Sequence, residues 1–145
     1  MLDEKIEDML FQAQNMFLLN DGMPSIIFMK LDGCDDMVLD AVETNTYEEK
    51  IQSVQRIKNM IESGKLKEYI YLCEGTHQND QLCLVVTHAS PTQETQYICS
   101  VYEHEGKKEK EKYTFGTWLV YDGTKMKGKN TSMINLFGRI NCKNN

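Results

Sequence analysis

The chain has 145 residues, of which 41% are hydrophobic, with one Trp and two Pro. A chain of this length fits a single domain and buries roughly two-thirds of its unfolded surface, so its core needs no disulfide or metal staple. No run approaches the ~18 consecutive apolar residues of a membrane-spanning helix, and the net charge of −6 excludes a uniformly basic nucleic-acid binder.

The charge is unevenly placed. Residues 1–105 hold 19 acidic against 7 basic residues, a balance of −12, whereas residues 106–145 hold 3 against 9, a balance of +6. This predicts an acidic body and a basic C-terminal region that attract opposite signs to different places. The cysteines Cys34, Cys73, Cys83, Cys99 and Cys142 form no close pair. Zinc sites usually show a C-x2-4-C spacing. Reduced, mostly buried thiols in a cytoplasmic protein are expected instead. The N-terminus lacks a basic segment followed by an apolar block, so no secretory signal is expected.

In chain order, residues 2–20 carry Leu2, Ile6, Met9, Leu10, Ala13, Met16 and Phe17 at helical spacing. Asp3 and Glu4 suit the positive end of the helix dipole, and Asn20-Asp21-Gly22 supplies a stop. Pro24 then opens two apolar runs, 25–31 and 37–42, joined through Asp32-Gly33, a hairpin signal. Thr46 and Glu49 fit a capping box, and Tyr47, Ile51, Val54, Ile57 and Ile61 form a second helical stripe ending at Ser63-Gly64.

The run Tyr69-Ile-Tyr-Leu-Cys73 is apolar on both alternating faces, which predicts a central strand covered above and below. Glu74 and Gly75 are expected at its exit, followed by a polar turn over 76–80. Further strands are predicted over 82–88, 96–104 and 112–121. In the last of these, Tyr113, Phe115, Leu119 and Tyr121 are expected on one face. The opposite face is assigned Thr114, Gly116, Trp118 and Val120. The apolar patch Met133, Ile134, Leu136, Phe137 and Ile140 predicts a short final helix packing back on the domain, with 141–145 frayed.

These elements predict one α+β domain over residues 1–145. Its order is α-β-β-α-β-β-β-β, with a mixed or mainly antiparallel sheet of five to six strands and two main helices. Over roughly residues 2–121 that order resembles the profilin-like and roadblock-like folds, and small uncharacterised proteins of phages and mobile elements. The resemblance implies a fold and carries no active site across.

Three candidate sites stand out. Gly123 to Thr131 resembles a phosphate loop, but Asn130 replaces the hydroxyl residue that would hold magnesium, and only 14 residues follow. Around the strand ends lie Glu74, His77, Asp80, His88, Glu103 and His104. Of these, Glu74, His77 and His88 are the candidates for acid–base work or a metal-dependent hydrolase. Pairing of neighbouring strands would place Glu74 and His88 near opposite ends. The third is an anion-binding surface of Lys107, Lys108, Lys110, Lys112, Lys125, Lys127, Lys129 and Arg139, interleaved with Tyr113, Trp118, Tyr121 and Phe137. Lysines neutralise phosphates and aromatics stack on bases.

No metal or cofactor is implied. The leading expectation is a non-catalytic protein that binds a protein partner or itself, such as an accessory or inhibitor protein of a phage or mobile element. Nucleic-acid or nucleotide binding is the alternative, and a metal-dependent hydrolase the third.

Overall fold

The computed structural model describes residues 4–42, 45–77, 79–107, 111–122 and 136–137. Helix α1 (Glu4–Asn20) buries Ile6, Leu10, Ala13 and Phe17, spaced four, three and four residues apart on one face. It ends at Asp21, whose φ of 54° lies in the left-handed region that Asp tolerates better than most residues. The Gly22 N–H then closes back on the Phe17 carbonyl at 3.1 Å.

Strands β1 (Ile26–Leu31) and β2 (Val38–Ala41) form the expected hairpin, with a six-residue link. Helix α2 (Tyr47–Glu62) begins with the expected capping box. The Glu49 N–H donates to Thr46 Oγ1, and the Thr46 N–H donates to Glu49 Oε1, each at 3.1 Å. It ends at Gly64, φ 79°, with the Gly64 and Lys65 N–H groups donating to the carbonyls of Ile61 and Met60. Those two bonds satisfy carbonyls that the helix end would otherwise orphan.

The remaining strands are β3 (Leu66–His77), β4 (Gln81–Ala89), β5 (Glu94–Glu103), β6 (Tyr113–Phe115) and β7 (Leu119–Asp122). Every pairing in the seven-stranded sheet is antiparallel, in the order β2-β1-β3-β4-β5-β6, with β7 also paired to β5. The α+β class and the element order are as the sequence predicts. The run at 69–73 lies in an inner strand, and all five of its residues are buried. Ile70 and Leu72 face α1, whose core includes Leu84 and Val86. Tyr69, Tyr71 and Cys73 face α2, with Ile57, Val85 and Ile98.

Two expectations are corrected. The third strand does not end at Glu74-Gly75 but continues to His77, turning through Asn79 and Asp80 at φ of 56° and 59°. The final strand is two segments on one edge, which is why the sheet has seven strands. Val101 lies opposite Phe115 and Ile98 opposite Leu119, so three steps along β5 match four along its partner. One extra residue reverses the alternation of side chains. Tyr113 and Phe115 therefore face α1, edge-on to Phe17 with ring centroids 4.8 and 6.2 Å away. By register, Leu119 and Tyr121 share the α2 face instead.

The outer strand β2 is short and carries its own shield. Val42 donates to the Ser25 carbonyl, so in the antiparallel register the Ala41 N–H points away from β1. Asp40 Oδ1 accepts that N–H at 2.8 Å, while its Oδ2 takes the Arg56 guanidinium at 2.7 Å.

The second helical stripe is only partly buried. Ser53 and Ile57 reach the core, but Tyr47 is 78% and Ile51 50% exposed. Leu136 and Phe137 do pack back on the α2 face, as expected for that apolar patch. The rest of the expected final helix and residues 141–145 lie outside the described residues. No helix among the described residues is long and apolar enough to cross a membrane.

Candidate functional site

The sheet separates the sequence-predicted acid–base residues. Glu74 lies opposite Leu84 and His88 opposite Ile70, four residues along β4. At ~3.4 Å per residue this puts them roughly 13 Å apart on the α1 side, at opposite ends as the sequence implied. His77 lies opposite Gln81 at the β3–β4 turn, and Asp80 is within that turn. Glu103 and His104 are exposed at the C-terminal end of β5, at the same end of the sheet as that turn, and the His104 Nε2 meets Thr114 Oγ1 at 2.8 Å. Among the described residues, no three His, Cys, Asp or Glu side chains converge as metal ligands.

Each half-buried member has a local task. A Glu74 carboxylate oxygen accepts the Met23 N–H at 2.6 Å and lies 3.1 Å from where a Cβ on Gly22 would be. It thus fastens the α1–β1 link to an inner strand. The open recess beside it, about 320 Å³, is lined by Asn20, Gly22, Met23, Pro24 and Glu74. The His88 Nε2 lies 2.5 Å from Glu68 Oε2, with Lys5 Nζ 3.8 Å from the same oxygen. The Glu68–His88 contact joins the neighbouring strands β3 and β4, and Lys5 brings α1 to the same carboxylate. The sequence singled out His88 but missed Glu68. The two meet only because the β3–β4 register sets them on a diagonal.

The basic surface is described only at Lys107 and Lys112. Lys108, Lys110, Lys125, Lys127, Lys129 and Arg139 lie outside the described residues, as does the phosphate-loop-like stretch 123–131. Lys112 Nζ is 3.2 Å from Asp21 Oδ1, and the Tyr113 hydroxyl donates to the same carboxylate. The Tyr113 and Lys112 hydrogen bonds hold the Asp21 carboxyl below its ordinary range. The Asp21 bond in turn holds Tyr113 and Lys112 above theirs. This cluster ties the end of α1 to β6, and Asp21 was not singled out from sequence.

Cys73, Cys83 and Cys99 are buried, as expected, and Cys34 is exposed. Burial pushes the Cys73 thiol up to about 12 and the Cys83 thiol up to about 11. Such thiols stay protonated at neutral pH and make poor nucleophiles.

The α2 face holds what sequence reasoning missed. Glu94 and Gln96 are each 1% exposed and Thr87 2%. Register aligns Tyr71, Thr87, Gln96 and Tyr121 across four strands, with Tyr69, Ala89 and Glu94 in the adjoining row. Over this polar floor, Phe137 stacks on Tyr69 with centroids 5.9 Å apart and planes 11° from parallel. Leu136 beside it is buried. Burial, and then the charge of Glu94, raises the Tyr69 hydroxyl well above its ordinary pKa. The alternation Glu94, Gln96, Ile98, Ser100 was the available signal, but it reads equally well as a solvent face.

No protein-family model matches the chain, and no curated protein or solved structure matches it.

Proposed function

We propose that this chain is a non-catalytic interaction protein that acts by contact with another protein chain, a second copy of itself included. The observation that supports this is the outer flank of α2. Tyr47 and Ile51, one turn apart, continue the helix's own apolar stripe into solvent. A stripe wider than the sheet beneath it leaves large apolar side chains in water, and such surface commonly marks protein contact.

The flank's direction follows from helix geometry. At 100° per residue, Arg56 stands about 180° around the axis from Tyr47. Arg56 is tied to Asp40 of β2. Tyr47 and Ile51 therefore face away from the β2 edge, toward the half of the sheet that carries β4, β5 and β7. Leu119 of β7, 44% exposed, lies on that same face.

The test is a photo-crosslinking residue at position 47, with a second at exposed position 52 as control. A discrete protein adduct from 47, absent from 52 and lost with Ile51→Glu, is expected. Reaction with solvent alone at both positions overturns the reading. Mass spectrometry of the adduct distinguishes a second copy from another chain.

A further inference from the structure

We infer that the outer stripe of α2 pairs antiparallel with the same stripe of a second copy about a two-fold axis, setting Tyr47 of each copy against Lys58 of the other. This rests on the protein-contact reading above and commits it to one partner, a second copy of this chain.

The stripe extends beyond the two side chains that mark it. With Tyr47 at zero, Ile51 stands at about 40° around the helix axis, Val54 at about −20° and Lys58 at about 20°, so the four share an arc of roughly 60°. Tyr47, Ile51 and Lys58 are exposed, and Val54 is half-buried with the core on its inner side. Their spacing, alternately four and three residues, is that of a seam between two paired helices. Lys58 belongs to none of the ion pairs among the described residues.

The stripe complements itself in one direction only. A parallel pairing sets Lys58 against Lys58, and like charges in contact oppose association. An antiparallel pairing centred between Gln52 and Ser53 instead sets Ile51 of each copy on Val54 of the other, and closes each end with Tyr47 beside Lys58. The centre is apolar, and at each end an ammonium lies within reach of a tyrosine ring face, an attractive cation–π arrangement. Glu48, next to Tyr47, adds opposite charge at the same place. In the row beside the seam Glu48 faces neutral Gln55 rather than another acid. One patch thus meets itself, as a two-fold interface requires.

The measurement is sedimentation velocity of the full-length chain over a range of concentrations. The unaltered chain is expected to reach the mass of a dimer. Tyr47→Lys should weaken that association about tenfold, because it sets lysine against lysine at two equivalent contacts. Adding Lys58→Glu to Tyr47→Lys should restore it, since opposite charges then face each other at both. Within one helix the two positions stand roughly 16 Å apart, so such a rescue comes only from another copy. Both positions are exposed, and circular dichroism checks that the variants keep their fold. A monomer at every concentration, a dimer untouched by Tyr47→Lys, or a loss that Lys58→Glu does not repair overturns the two-fold pairing. A crosslink from position 47 to a different chain would then still sustain the protein-contact reading, so the two fail separately.

Discussion

The two faces of the sheet are sealed in different ways. Against α1, Ile70, Leu72, Leu84 and Val86 meet Ile6, Leu10 and Phe17, and the charged and imidazole groups on that side, Glu68, Glu74 and His88, are only half-buried. On the α2 side the face includes Ile57's partners but also the buried polar Thr87, Gln96 and Glu94, in the rows of Tyr71 and of Tyr69, on which Phe137 stacks. Apolar burial is non-directional, so any well-shaped greasy cover suits the first face. Buried polar groups accept only a cover that meets them at the right places. One face therefore depends on shape alone, and the other also on where its polar groups are met.

The sharpest way to break that contrast is a matched pair of substitutions. Phe17→Ala removes a fully buried ring edge-on to Tyr113 and Phe115, and should lower stability by about 3–5 kcal/mol in urea unfolding. Phe137→Ala removes a ring that is only half-buried, and should cost nearer 1–2 kcal/mol. Equal losses would mean that both covers are simply structural.

Next in size is Thr46→Ala, which removes one half of the α2 capping box and should cost about 1 kcal/mol. Because α2 adjoins the polar half-face, protection of its first-turn amides from hydrogen exchange should fall. Protection in α1 should be unchanged.

The smallest effect concerns pH. Asp21 has a folded pKa below its ordinary 3.8. Its contribution is present above that ordinary value and is lost as pH falls through the lowered one. Tyr113 has a folded pKa above its ordinary 10.0, so its contribution holds below 10.0 and disappears as pH rises through the raised value. Asp21→Asn should flatten both slopes in thermal-unfolding profiles. A profile identical to that of the unaltered chain would remove the Asp21 cluster from the account of the α1 end.

Much of the architecture was legible because it rests on local rules. The 3-and-4 spacing of Ile6, Leu10, Ala13 and Phe17, the Thr46–Glu49 box and the two-sided run at 69–73 each follow from side-chain period or capping geometry. What was not legible depended on register. The extra residue between Phe115 and Leu119 carries no compositional mark, yet it moves Leu119 and Tyr121 to the other face. Glu68 reaches His88, and Asp21 reaches Tyr113 across 92 positions, only after the strands are aligned. The stripe of α2 was read correctly as a stripe. How far the sheet extends beneath it was the missing quantity, and that left Tyr47 and Ile51 outside the core.

Asp40 has a bearing on how the molecule behaves in a crowded solution. An outermost strand with unmet backbone donors can template further strands from neighbouring molecules, the first step toward insoluble stacks. By taking the outward N–H of Ala41 and holding Arg56 at the same time, one carboxylate removes one donor from that template and braces the helix above it. A single small side chain thus shortens the stretch of open margin that a neighbouring molecule could extend.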